Sequence, residues 1–242
     1  ERDDDNDTFR FAHDQIQFAA FELVPADKRD NLKGNIGGVL LKGLDPDTFE
    51  SCLFEVVSLR NCAVSGLSDE ERIDLAHLNV RAGIKASRNA AFDTSVVYFE
   101  AARGLFGPSA WMMDDVDSRS LVDLYIKEAQ ARFVIGHLEV MDTLIEELLS
   151  KDLPIEQVFE AYEVKILAAQ AANRFDVAIS VALDVRKQLG CKSIPTKPGM
   201  ITIIREFKKT SNAVGKRSAE DLAALPTLTD EKVAIGQRML EL

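Results

Sequence analysis

Apolar residues recur at helical spacing between Ile73 and Leu189, and the same spacing occurs three times. Each occurrence begins with a bulky residue just after a tight turn, and further positions follow three, seven and ten residues later. These offsets share one face of a helix, because a helix turns once in 3.6 residues. The three sets are Phe92-Ser95-Phe99-Ala102, Leu138-Met141-Ile145-Leu148 and Phe175-Ala178-Ala182-Val185.

A second position accompanies each set, nine residues before the bulky residue and on the preceding helix. It is occupied by Gly83, Ala129 and Ile166, and two of these are small, which suits the close approach of paired helices. The pattern predicts an all-α protein of helical hairpins stacked into an α-solenoid, preceded by a small N-terminal helical piece. It resembles a degenerate tetratricopeptide repeat, in which each unit is one hairpin.

The spacing between the three sets is uneven, from residue 92 to 138 and then from 138 to 175, whereas the strict repeat has a constant period of about 34 residues. Ile166, Met141 and Val185 also stand where that family prefers small residues. The alternative is an irregular helical bundle with the same helices. The two interpretations differ in whether the hairpins form a curved array.

The flanking segments also predict helices. Gly34, Gly37 and Gly38 lie along one helix and suggest close packing against a neighbour, with flexibility of that helix as the alternative. Ser68 and Glu71 form a capping box that opens the first hairpin. After the third hairpin, helices are expected at about 200–213, at 218–225, and from Thr229 or Asp230 onward.

Composition favours helix and excludes some functions. The chain has 242 residues, with 13 Gly and 7 Pro, and a net charge of −11. That charge disfavours nucleic acid and anionic membranes, because phosphates are repelled. No apolar run reaches the roughly 18 residues of a membrane span, and no signal peptide is evident. Three cysteines without C-x-x-C spacing fit a reducing cytosol, so a cytoplasmic location is expected.

Motifs for chemistry are missing from the sequence. The Gly215-Lys216 pair fails as a phosphate-binding loop, because Arg217 follows it and Thr210 stands where the first glycine belongs. The histidines have no second ligand at metal-binding spacing. The acidic stretch at 114–117 lacks the glycine and distal glutamate of a calcium loop, so a solvated loop is expected. We therefore predict no catalytic residue, cofactor or metal, and no enzyme activity.

Three short motifs resemble a known family. Residues 11–20 match F-x-H-D-x-x-x-x-A-A, residues 53–57 match L-F-[DE]-[IV]-V, and residues 218–230 match a later signature, S-A-E-D-L followed by L-P and L-T-D. In this order they resemble the tetratricopeptide-like region of large multi-domain predicted ATPases of the signal-transduction (STAND) type. The acidic-proline step that usually follows the last Thr-Asp is absent, since Glu231 and Lys232 stand there.

The resemblance implies a helical signalling and interaction region, beside a nucleotide-binding module and often kinase, GAF, histidine-kinase or cyclase modules. Residues 1–67 would then be an N-terminal segment, the tail of a preceding winged-helix or ATPase-linked module. Residues 68–242 would be the hairpin array. The resemblance carries over no catalytic residue. Because the apolar pattern continues to Leu242, a fragment of a longer protein is expected.

If the hairpins stack, their first helices line a concave face. This face would suit an apolar or amphipathic helix or peptide, from a protein partner or from an adjacent domain of the same chain. The alternative is that these positions are inter-helix core, or are covered by the C-terminal helices. The candidate residues are His77, Val80, Ile84, Asp123, Ile126, Gln130, Glu163, Leu167 and Gln170.

The sequence thus favours a non-catalytic interaction and regulatory region of a larger cytosolic signalling ATPase or kinase. Partner binding would be coupled to the nucleotide state of the upstream module, which requires the partner to bind the two states differently. A free-standing scaffold that recruits a partner peptide or helix is the alternative. A helical enzyme is the third possibility, and no group of residues supports it.

Overall fold

The computed structural model describes residues 13–113, 116–192, 194–195 and 198–242, and these contain helices and no strand. The all-α prediction is confirmed. Residues 9–12, Asp114 and Asp115, which entered the motif and acidic-loop predictions, lie outside the described residues. The helices are α1 (Asp14–Glu22), α2 (Ala26–Gly43), α3 (Pro46–Ser51), α4 (Leu53–Asn61), α5 (Asp69–Arg88), α6 (Phe92–Phe106), α7 (Ser118–Val134), α8 (Leu138–Leu149), α9 (Ile155–Ala171), α10 (Phe175–Gln188), α11 (Met200–Val214), α12 (Ala219–Ala223) and α13 (Glu231–Glu241), with 3-10 turns at Val64–Gly66 and Pro108–Met112.

The chain divides into two compact units, Glu1–Val116 and Asp117–Leu242. Unit 1 contains α1 to α6, and unit 2 contains α7 to α13. The first predicted hairpin, α5–α6, therefore belongs to unit 1, and the other two, α7–α8 and α9–α10, belong to unit 2. The boundary expected between residues 67 and 68 would separate the end of a preceding module from the hairpin array, and it stays a prediction. The stacking of the hairpins into a curved array also stays a prediction.

The turns of the three hairpins share one backbone conformation. Each contains one residue with positive φ: Ala90 (58°), Gly136 (80°) and Asn173 (57°). The next residue donates its N–H to a carbonyl five residues back, which closes the helix end as in a Schellman motif. These bonds are Ala91 to Ala86 (2.9 Å), His137 to Arg132 (2.8 Å) and Arg174 to Ala169 (2.8 Å). The three turns thus share a backbone conformation as well as a sequence spacing.

The repeated stripe forms the core of each hairpin, with one exception. The positions three, seven and ten residues after the bulky residue are all buried, and so are Gly83, Ala129 and Ile166. The bulky residues themselves begin α6, α8 and α10, and two of them are well exposed, Phe175 at 56% and Leu138 at 39%. They lie at the turn, where the preceding helix has ended and offers little surface to pack against. The stripe therefore starts one position later than the sequence pattern indicates.

Side-chain volumes compensate within the hairpins. In α5–α6, Gly83 faces the fully buried ring of Phe99, and a β-carbon added to Gly83 would lie 2.5 Å from ring atom Cε1. In α9–α10, the large Ile166 lies in one buried cluster with the small Ala178 and Ala182. A large side chain on one helix thus accompanies a small one on the other, which preserves interior packing density. This explains how Ile166 fits at a position where small residues are usual.

In unit 1, the N-terminal helices pack on the first hairpin through α4. The glycines of α2 allow a close approach to α4: a β-carbon on Gly37 would lie 3.0 Å from the Leu59 β-carbon. The close packing predicted from these glycines is confirmed. On the other side of α4, Asn61 and the fully buried Asn79 of α5 exchange two amide hydrogen bonds of 2.8 and 2.9 Å. These contacts fix the position of α5.

In unit 2, α7 packs on α8 and α9, α9 packs on α10, and α13 packs on both helices of the last hairpin. The two helices between α10 and α13 behave differently, because α11 and α12 bury no residue. The predicted caps are present: the Ser68 hydroxyl accepts from the Glu71 N–H at 3.2 Å, and the Glu71 carboxylate accepts from the Ser68 N–H at 3.0 Å. Asp230 caps α13 by accepting from the Val233 N–H at 3.2 Å.

Candidate partner-binding surfaces

The nine candidate residues fall on α5 in unit 1 and on α7 and α9 in unit 2. On α5, His77 is exposed, and Val80 and Ile84 are half-buried. The ring of His77 packs edge-on against Phe106 of α6, with centroids 5.2 Å apart. All three candidate residues line a cleft of about 500 Å³, so the structure brings them together on one surface.

The rim of this cleft is basic. It is formed by Arg81, Lys85 and Arg88, with Glu50 as the acidic residue among the lining side chains. The Glu50 carboxylate forms an ion pair with Arg81 and another with Lys85, whose Nζ lies 3.5 Å from Oε1. One carboxylate therefore opposes three cations, and the cleft carries excess positive charge over the apolar floor of Val80 and Ile84. We call it the α5 cleft.

On α7 the candidate residues differ in accessibility. Asp123 is exposed and Gln130 is half-buried, whereas Ile126 is 3% exposed. Asp123 and Ile126 line a second cleft, of about 550 Å³, near the start of α9. Its acidic residues are Asp117, Asp123, Glu156, Glu160 and Glu231, with Arg119 as the lining cation. This cleft therefore has the opposite charge character to the α5 cleft.

On α9, helix α13 of the same unit contacts two candidate residues. Glu163 is buried, and its Oε2 accepts from Arg238 Nη2 at 2.7 Å. The Gln170 amide donates to the main-chain carbonyl of Leu242. Leu167 stays 40% exposed. The sequence leaves open whether these positions bind a partner or are covered by the C-terminal helices. The C-terminal segment contacts Glu163 and Gln170. A role of these two residues in binding a separate partner stays a prediction.

The seat of α13 is apolar and closely fitted. Ile235 and Met239 are buried against the α9–α10 hairpin, in a cluster with Ile166, Ala169, Ala178, Ala182, Val185 and Leu189. Between them lies Gly236, where a β-carbon would stand 2.7 Å from Cys191 Sγ and 3.4 Å from Arg186 Nη1. Arg186 Nη1 also donates to the Gly236 carbonyl at 2.5 Å. A β-carbon at 236 would therefore require the Cys191 thiol to turn away or α13 to shift, and a longer side chain would require more.

Burial and charge oppose each other at Glu163. Burial raises the pKa of this carboxyl above its usual value, although the attraction of Arg238 and its hydrogen bond lower it. Desolvation is thus the larger influence on the pKa of this carboxyl. By contrast, a hydrogen bond from its own main-chain N–H and the neighbouring Lys232 lower the pKa of Glu156, which is paired with Lys232 Nζ at 3.2 Å.

The sequence interpretation missed two features. The basic rim of the α5 cleft could have been found from Arg81, Lys85 and Arg88, which follow one another at helical spacing. The contact surface of α13 had a weaker sequence signal: Gly236 directly follows Ile235, and the next buried apolar residue, Met239, is four positions after Ile235. Nothing in that signal indicates which hairpin the helix packs on.

Among the described residues, no three His, Cys, Asp or Glu side chains are grouped so that they could hold a metal ion. In the same part of the chain, none of the helices combines the length and the apolarity needed to cross a membrane.

The chain is similar to part of a known signalling protein. The chain is 27% identical over 226 residues to the hybrid signal transduction histidine kinase G of Dictyostelium discoideum. The match covers 84% of this chain and 7% of that kinase. No protein-family model matches the chain, and no solved structure matches it. Most of this chain is therefore similar to a small part of a signal transduction protein.

Proposed function

We propose that this chain is a non-catalytic helical region through which a larger cytosolic signalling protein binds a protein partner or its own adjacent domains. The observation that carries the proposal is the match to the histidine kinase, which covers most of this chain but 7% of the relative. A region of this size and helical make-up, placed inside a long signalling protein, suits a regulatory role better than a complete activity.

The repeated hairpins support a tetratricopeptide-like role in recognition. Hairpin repeats of this kind bind extended peptides or helices on the exposed face of their first helices. The α5 cleft is the accessible candidate, since Val80 and Ile84 form its floor and Arg81, Lys85 and Arg88 surround them. Its chemistry suits a partner segment with apolar side chains flanked by acidic ones, because the excess positive charge attracts carboxylates.

A charge-reversal experiment tests this proposal. The chain is immobilised and exposed to an extract of its source cells, and bound proteins are quantified by mass spectrometry. The double variant Arg81→Glu, Arg88→Glu should lose specific partners at least tenfold. A control variant, Lys216→Glu, changes an exposed charge in unit 2 and should retain them.

Two results contradict the proposal. In one, every protein retained by the wild-type chain is retained equally by the double variant, which removes the α5 cleft as a recognition surface. In the other, the purified chain hydrolyses ATP or phosphorylates itself, and across the purification fractions this activity follows the amount of the chain. That result would contradict the non-catalytic role.

A further inference from the structure

We propose that the α9–α10 hairpin carries a second helix-binding site, which α13 fills in cis, and that a partner helix with the residue pattern of α13 binds there by displacing it. This inference rests on the proposed function, since it assigns a partner chemistry to the interaction region. The site consists of the buried cluster that receives Ile235 and Met239, together with Glu163, Arg186 and Cys191.

Helix α13 is held in unit 2 by its own contacts with α9 and α10. The segment between α10 and α13 contains α11 and α12, and neither helix buries a residue. Release of α13 would therefore uncover its own contacts and no others among the described residues of that segment. A helix whose release uncovers only its own contact surface on α9 and α10 is exchangeable in a way that a helix enclosed on all sides is not.

The contact between α13 and the hairpin depends on a close fit at Gly236. Gly236 lets the backbone of α13 approach the hairpin so closely that its carbonyl accepts a hydrogen bond from Arg186, while a β-carbon there would meet the Cys191 sulfur at 2.7 Å. The position therefore favours glycine in a competing helix and disfavours a large side chain. The two flanking apolar side chains, equivalent to Ile235 and Met239, enter the buried cluster.

The contact between α13 and the hairpin also includes a pair of opposite charges. The Arg238 guanidinium pairs with the buried Glu163 and also lies over the ring of Phe159, 5.3 Å from its centroid. A planar guanidinium can pair with the carboxylate and lie over the ring at once, whereas a lysine ammonium is a compact point charge without such a flat face. Together these contacts define the partner as an amphipathic helix with the pattern apolar, Gly, any residue, Arg, apolar, as in residues 235–239.

The test uses the full chain and a fluorescein-labelled peptide of residues 229–242. Gly236→Leu should drive α13 out of its seat and vacate the site. The matched control is Gln237→Leu, which adds the same side chain at an exposed position of α13. By fluorescence anisotropy, the peptide should bind Gly236→Leu at least tenfold more tightly than wild type or Gln237→Leu. In those two chains α13 competes at an effective concentration of the order of millimolar.

Charge reversal then tests the site itself. In the Gly236→Leu background, Glu163→Arg should weaken peptide binding at least tenfold, and a peptide carrying Arg238→Glu should recover most of that loss. A peptide with Arg238→Lys should bind several-fold more weakly than the natural peptide. A peptide that itself carries Gly236→Leu should not bind.

Equal peptide binding by all three chains, or loss without recovery in the charge-reversal pair, would overturn the proposal. A wild-type dimer that the peptide dissociates, seen by light scattering, would assign the site to a second copy of this chain instead of a separate partner. If Gly236→Leu does not fold, hydrogen exchange on the wild-type chain decides: α13 should exchange at least tenfold faster than α9 and α10, and equal protection would make it a fixed structural helix.

The proposed function does not fall with this inference. Its test measures the α5 cleft in unit 1, which none of these variants changes. If the peptide experiments fail while partner binding still depends on Arg81 and Arg88, the α13 site alone is refuted.

Discussion

Replacement of Gly83 by alanine tests the packing on which the hairpin pattern rests. Gly83 lies in the middle of α5, and its missing side chain leaves space for Phe99 of α6. A β-carbon at this position would lie 2.5 and 2.6 Å from two atoms of the Phe99 ring. The ring is fully buried, so it has little freedom to retreat. We expect Gly83→Ala to destabilise unit 1.

The magnitude follows from two opposing contributions. Alanine in the middle of a helix is favoured over glycine by about 1 kcal/mol, because it restricts the unfolded chain. Insertion of a methyl group into a filled core costs typically about 1–3 kcal/mol in forced side-chain and backbone shifts. The overlap here is at the severe end, so we expect a net loss of about 1–2 kcal/mol in the free energy of unfolding.

Gly104 supplies a matched control in the same hairpin. It is also a glycine inside a helix, α6, but it is exposed, and a β-carbon there would meet nothing within 4 Å. Gly104→Ala should therefore stabilise unit 1 by up to about 1 kcal/mol. Since the helix-propensity gain is common to both variants, their difference isolates the steric cost.

The assay is urea unfolding followed by the fluorescence of Trp111, the chain's single tryptophan, which lies in unit 1. The slope with urea should stay constant, so that a shifted midpoint reports stability. Phe99→Leu combined with Gly83→Ala should cost less than the sum of the two single changes, because the smaller side chain makes room. Equal stabilisation by both alanines would refute the close approach of α5 and α6 at Gly83.

Three further predictions concern a turn, a cap and the buried ion pair. Ala90 holds a φ of 58°, so Ala90→Gly should stabilise unit 1 by about 0.5–1 kcal/mol in the same urea assay, and a loss would contradict the turn geometry. Ser68→Ala removes the side-chain cap of α5 and should cost about 1 kcal/mol, measured by thermal unfolding, whereas Ser68→Asp should retain most of the stability. Burial raises the pKa of Glu163 in the folded chain, so ionisation of this carboxyl disfavours folding. As pH rises through this folded-state pKa, wild type should lose stability relative to Glu163→Gln, and below the carboxyl pKa of the unfolded chain this loss should be absent. Circular-dichroism melts between about pH 3 and 8 test the sign.

The sequence predicted the helices well because their signals are local. The apolar stripes, the Ser68–Glu71 cap and the turn positions each depend on residues within one or two helical turns, and the structure has them where the pattern placed them. The exposure of Phe175 was not predicted, because spacing alone does not say where the partner helix ends.

The candidate surface was harder to predict, because it depends on contacts between residues far apart in the chain. His77, Val80 and Ile84 share a cleft as expected for one helix face. Their basic rim is tied to Glu50, which lies on another helix. The cover over Glu163 comes from Arg238, at the far end of unit 2. Helical periodicity carries no information on such pairings.

The ion pair between Glu163 and Arg238 is better suited to selecting a helix than to holding it. Desolvation of Glu163 offsets the attraction of Arg238, whose side chain is 53% exposed, whereas Ile235 and Met239 of α13 are buried in the apolar cluster. A helix without the arginine, however, would leave the buried carboxylate unpaired, which is costly. The pair would therefore select against helices without an arginine at this position, which is the selectivity that the proposed α13 site requires.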